Sequence, residues 1–136
     1  MNPFIITVVF GFIILANPVF GQKAKVEPNT VDHAGILRQL GLKNFAKGQA
    51  IYNNLCINCH GSDGKTPALP IARAFGRGEL KFGVDPYSMF QTLTKGNGLM
   101  GPQTWMTPQE RYDAIHYIRE KFMKPMHPKY QALTPQ

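Results

Sequence analysis

The two cysteines of the 136-residue chain stand three residues apart, and a histidine follows the second directly: Cys56-Ile57-Asn58-Cys59-His60. This cluster constrains the fold more than any other feature. On a helix, positions three apart lie on one side, so both thiols and the imidazole address a common volume. C-x-x-C-H is the attachment signature of c-type haem: the thiols add to the two vinyl groups of the ring, and His60 is placed to reach the iron. Other uses of the pattern fit less well. A thioredoxin-like C-x-x-C needs strand–helix alternation around it, which the chain lacks. A structural zinc site needs four ligands, and no second cluster accompanies these three. A plain disulfide leaves His60 without a role.

The length suits one domain. With 43% hydrophobic and 17% charged residues, a core can form and general disorder is excluded. Phe4 to Ala16 is a 13-residue uncharged apolar run, the length of a signal-peptide core and short for a membrane span. Pro18 breaks it, and Val19-Phe20-Gly21 offers a cleavage site. The expected division is a signal peptide over 1–21, an extended N-terminal arm over 22–42, a haem domain over 43–125 and a tail over 126–136. Because no Lys or Arg precedes the run, an uncleaved anchor reaching Phe20 is the alternative, and only then is membrane attachment expected. Export agrees with haem attachment and implies a periplasmic or secreted protein.

The spacing predicts an all-α domain with three main helices. The first covers Asn44 to Cys59, with Gly48, Tyr52 and Cys56 on one face and His60-Gly61 as its stop. Ser62 to Gly83 is rich in Gly and Pro and reads as a long ordered loop. Asp85-Pro86 opens the second helix as N-cap and first-turn proline, running to about Lys95 before Gly96-Asn97-Gly98. Thr107-Pro108-Gln109-Glu110 is a capping box opening the third, which carries Ile115, Ile118 and Phe122 on its inner face until Pro125 stops it. Three short helices bury little surface by themselves, so the loops are expected to wrap one covalently bound haem.

From about Lys43 to Lys124 the chain resembles the class I monohaem cytochrome c family. The resemblance lies in Gly48-Gln49-Ala50-Ile51-Tyr52 leading into the haem motif, in Thr94-Lys95-Gly96-Asn97-Gly98-Leu99-Met100, and in the closing helix Glu110 to Lys121. It implies the small cytochrome c fold, with the first and last helices crossing closely at Gly48 and Tyr117. It also implies His60 and a methionine as axial ligands. Met100 occupies the family's position, although Gly101 and then Pro102 follow where Met-Pro is usual. Met106 is the rival. Met89, Met123 and Met126 read as packing or helix-end residues, and His33, His116 and His127 as packing or surface residues. In the family a proline carbonyl accepts the second N–H of the ligating histidine; Pro67 is the first choice here and Pro70 the second. Arg73, Arg77 or Lys81 are candidates to pair with the haem propionates. Tyr87 and Trp105 are expected in the haem pocket or the core.

Fifteen Lys+Arg against eight Asp+Glu give a formal charge of +7. The cations are dispersed and not interleaved with aromatics, which speaks against nucleic acid. They fit a transient encounter with an acidic redox partner. The expected function is single-electron transfer by a monomer or by a subunit of a redox complex, with no catalytic residues. A haem enzyme or sensor with an open distal site is the alternative.

Overall fold

In the computed structural model of the protein, residues 30–77 and 80–126 are described. The expected signal peptide, residues 22–29 of the arm, and the tail beyond Met126, with His127, lie outside them. The chain divides into two compact units, Met1–Thr30 and Val31–Gln136.

The second unit holds the helices α1 (His33–Arg38), α2 (Leu42–Ile51), α3 (Ile57–His60), α4 (Pro86–Lys95), α5 (Pro108–Ile118) and α6 (Lys124–Met126). Five-residue π segments join α2 to α3 (Tyr52–Cys56) and α5 to α6 (Arg119–Met123), and a 3₁₀ turn covers Phe75–Arg77. The described residues contain no strand, only an isolated bridge between Asn97 and Met100. The fold is the all-α one expected, with α2, α4 and α5 as its main helices.

Local chemistry fixes two of these starts. Asp85 Oδ1 accepts from Ser88 N at 2.9 Å ahead of Pro86, and the Thr107/Glu110 box closes reciprocally at the head of α5. Gly96 ends α4 at φ +77°, donating its N–H to Thr92 O. A side chain there would meet the Met100 carbonyl at 2.6 Å, so glycine is required both by the conformation and by the returning loop.

The centre of the packing is the crossing of α2 on α5. A Cβ on Gly48 would stand 1.9 Å from Asp113 O and 2.9 Å from Tyr117 Cβ. Two backbones approach this closely only where one side chain is missing. Around the crossing Tyr52, Tyr112, Ile115, Phe122 and Met123 are at most 1% exposed. Ile115, Ile118 and Phe122 all face inward, as their spacing predicts.

Three expectations are corrected. The arm is not extended throughout: α1 lies within it, capped by Asp32 Oδ1 on Gly35 N, with Ile36, Leu37 and Leu40 against the core and His33 Nδ1 bonded to Tyr112 Oη at 2.8 Å. The first helix begins at Leu42 and is interrupted by the Tyr52–Cys56 π segment, where Ile57 N–H reaches back to Tyr52 O. Pro125 does not stop the last helix, since it lies inside α6. The π turn before it, closed by Lys124 N–H on Arg119 O, shifts the bonding ladder just where proline has no N–H to offer.

Candidate functional site

A cavity of about 760 Å³ opens beside the cysteine pair, within the roughly 300–1,000 Å³ of small-molecule and cofactor sites. Cys56, Cys59 and His60 form one wall, at the end of the first helical run. Leu69 to Arg73, with Phe75, form a second. Met89 and Leu93 of α4, the 97–101 loop, Met106, and Ala114, Ile115 and Ile118 of α5 close the rest.

Both cysteines are unpaired and partly exposed. Burial, and then the neighbouring Cys59, pushes the Cys56 thiol up to about 11, so it stays protonated at neutral pH. A thiol held protonated in this way is poorly suited to thiol–disulfide exchange, which works through the anion. Among the described residues no group of three His, Cys, Asp or Glu is arranged to hold a metal ion.

His60 is fixed from two sides. Its ring stacks on Phe75, with centroids 4.6 Å apart, and its Nδ1 donates to the Arg73 carbonyl at 3.0 Å. A carbonyl only accepts, so Nδ1 carries the proton and Nε2 keeps its lone pair. The acceptor is thus neither Pro67 nor Pro70. Pro67 lies instead against the turn at Gly61, outside the cavity lining, while Pro70 lines the cavity without accepting this bond. The loop turns back around Pro70: Leu69 N–H donates to Cys59 O and Ala72 N–H to Leu69 O, which brings the 73 carbonyl to the Nδ1 edge of the ring. Arg73 therefore contributes through its backbone, and its side chain stays exposed on the rim.

Met100 and Met106 both line the cavity. Met100 is held by a reciprocal backbone pair with Asn97, at 2.8 and 3.2 Å, and Gln103 N–H ties the same loop to Leu93 O at 2.7 Å. Met106 is 5% exposed, seated just ahead of the α5 cap. His33 and His116 lie away from the cavity: His33 sits edge-on to Tyr87 and Phe90, and His116 faces Phe45 and Glu120. Tyr87 and Trp105 are neither in the cavity lining nor in the core, being 49% and 64% exposed. The inner face of α4 is taken by Pro86, Met89 and Phe90, which turns Tyr87 outward. Of the rim cations, Lys81 lines the cavity mouth with its ammonium over Phe82, and Arg77 does not line it.

One functional contact has no counterpart among the sequence motifs. Tyr52 Oη donates to Gly61 O at 2.7 Å, anchoring the residue directly after His60 to the buried centre of the first helical run. Burial raises the Tyr52 pKa well above its ordinary value, so the hydroxyl remains a donor. Its i+4 spacing from Gly48 marks it as inward-facing, but nothing in the spacing names the carbonyl that it holds.

Two free thiols three apart, a histidine with one nitrogen committed and the other available, and thioethers in the wall of an apolar cavity form a donor set that suits covalent haem. A model of the family described as cytochrome C oxidase, cbb3-type, subunit III matches residues 43–118, just over half of the chain. The chain belongs to that family of c-type cytochromes. No curated protein and no solved structure matches it. The matched stretch begins one residue into α2 and ends with α5, so it takes in every wall of the cavity. As a c-type cytochrome domain, the protein carries covalently bound haem c and serves haem-based electron transfer.

Proposed function

We infer that this cytochrome is an exported single-electron carrier for one haem c, which Cys56 and Cys59 would hold through thioether links and whose iron His60 and Met100 would bind. The observation that carries the reading is the convergence of those four side chains on one cavity. When bound, the haem iron supplies the one-electron Fe(III)/Fe(II) couple. The chain does the rest. The Arg73 carbonyl orients His60 and raises its basicity through the Nδ1 proton. The Asn97 pairing holds the Met100 thioether against the cavity without a helix constraint. Met89, Leu93, Ile115 and Ile118 keep the interior apolar and exclude water. Arg73 and Lys81 on the rim offer charge-assisted bonds to carboxylates. Export through the Phe4–Ala16 segment, with cleavage after Gly21, places the protein in the periplasm or outside the cell, and its net positive charge favours acidic redox partners.

The family's name favours a second reading, that the protein is the haem-bearing subunit of a redox complex. The two separate on size-exclusion chromatography and co-purification from the source: a free carrier elutes at its monomer mass, whereas a subunit elutes with its partners.

The test of ligation is the absorption spectrum of the purified protein, oxidised and then reduced. A ferric sulfur-to-iron charge-transfer band that resists low cyanide is expected. A high-spin ferric spectrum that readily takes up cyanide or carbon monoxide overturns the carrier reading in favour of a haem enzyme or sensor. His60→Ala should yield protein without stably held haem, and N-terminal sequencing of the mature protein should begin at Gln22.

A further inference from the structure

We propose that Arg111 is a fixed buried cation that raises the reduction potential of this cytochrome. The inference rests on the haem-binding reading of the cavity. Arg111 lies on α5 and is 7% exposed, one helical turn before Ala114 and Ile115, which line the cavity. Its guanidinium carbon stands 4.3 Å from the centre of the Phe90 ring, and Nη1 donates to Thr94 Oγ1 at 2.5 Å. Its Nε is buried without a hydrogen-bond partner. Among the described residues no carboxylate forms an ion pair with it. Burial lowers its pKa, yet a guanidinium remains protonated in any accessible pH range.

Such a charge is costly to bury unpaired. No neighbour pairs with it directly. His33 bonds to Tyr112 and packs edge-on to Phe90, and burial, followed by the Arg111 charge, holds its pKa down, so it is neutral at pH 7. Asp32 and Asp85 keep their negative charge and act electrostatically on His33 and Tyr112, but each caps its own helix and neither forms an ion pair with Arg111. Arg111 is therefore the unpaired cation among these groups, one turn along α5 from the cavity wall.

Reduction adds one electron at the iron and breaks no bond. A positive charge fixed in a medium of low dielectric stabilises the reduced form over the oxidised one. Salt screens a buried charge far less than an exposed one. Arg111 is thus a charge-setting residue that touches neither ligand.

The experiment is a redox titration of the holoprotein at low and high ionic strength, for the wild type, Arg111→Met, Arg111→Gln, Arg111→Lys and the exposed control Lys95→Gln. At a fixed mediator potential, both neutral Arg111 variants should shift the reduced-to-oxidised ratio toward oxidised by roughly threefold or more, equally at both salt concentrations. Arg111→Lys should stay near the wild type, and any shift in Lys95→Gln should vanish in high salt. The Gln variant keeps a polar head, so the test survives if the Met variant fails to fold. Neutral variants with an unaltered absorption spectrum and an unmoved potential overturn the proposal, as does a shift that salt abolishes. A wild-type protein that carries no covalent haem would instead refute the underlying reading, and the spectrum alone reveals that.

Discussion

Gly48→Ala tests the helix crossing that supports the whole cavity. The new methyl would sit 1.9 Å from Asp113 O, where real Cβ contacts do not come below 3.0 Å, so α2 and α5 must separate by about 1.1 Å at that point. Such overpacking costs about 1–3 kcal/mol. The displaced residue, Asp113, is 1% exposed and its Oδ1 accepts from both Asn44 Nδ2 and Gln109 Nε2 at 2.8 Å. Loss of the Asn44 bond across the crossing adds about 1.5–3 kcal/mol, as usual for a hydrogen bond to a charged group. Against this, alanine favours the helix over glycine by roughly 1 kcal/mol. The net loss is about 1.5–5 kcal/mol, a large part of the roughly 5–15 kcal/mol that holds a domain together. Urea unfolding of the holoprotein at pH 7, followed by far-ultraviolet circular dichroism, measures it directly. An unchanged slope with a markedly lower midpoint is expected. A variant as stable as the wild type, or more so, would mean that helix propensity outweighs the contact and that the crossing is looser than described.

Tyr52→Phe leaves the buried end of the Gly61 carbonyl bond without its donor and should cost about 1–3 kcal/mol in the same assay, with a change in the His60-dependent spectrum. Met100→Ala should give a high-spin iron or admit a new ligand, while Met106→Ala keeps the ferric charge-transfer band; the opposite pattern would reassign the thioether. For Asp85, burial alone raises the carboxyl pKa, but the bonds from Ser88 outweigh it and the net shift is downward. Its cap therefore contributes in full above the ordinary carboxylate range near pH 4 and is lost as pH falls through the depressed value. Asp85→Ala should accordingly cost about 1 kcal/mol at pH 7 and much less in acid, and an equal cost at both pH values would refute the capping role.

What could be read from the sequence was what neighbours in the chain decide. Asp85-Pro86 and Gly96 bound α4 at the residues expected, and Thr107 with Glu110 opens α5, because each of these interactions closes within four residues. Cys56, Cys59 and His60 stand out by their motif and Met100 by the position that the family resemblance gives it, and all four line one cavity, as does the rival Met106. Distant partners decided the rest. α1 is secured through His33 and Tyr112, 79 positions apart, a pairing that no local pattern announces. The acceptor for His60 is a main-chain carbonyl, and every residue has one, so the family resemblance pointed to a proline while the path of the loop selected Arg73.

The π segment at Tyr52–Cys56 bears on how this sequence can vary. Upstream of it the helix must present Gly48 and Tyr52 to the α5 crossing; downstream it must present Cys56, Cys59 and His60 to the cavity. Asn53 and Asn54 between them are exposed, and as side chains they are free to drift. Their number is not. Removing one residue here would rotate everything beyond it by about 100° around the helix axis, turning the attachment pair away from the space it addresses while each residue of the motif stayed intact. At this joint spacing is constrained more than identity, and a one-residue deletion should abolish haem attachment where substitutions of Asn53 or Asn54 leave it intact.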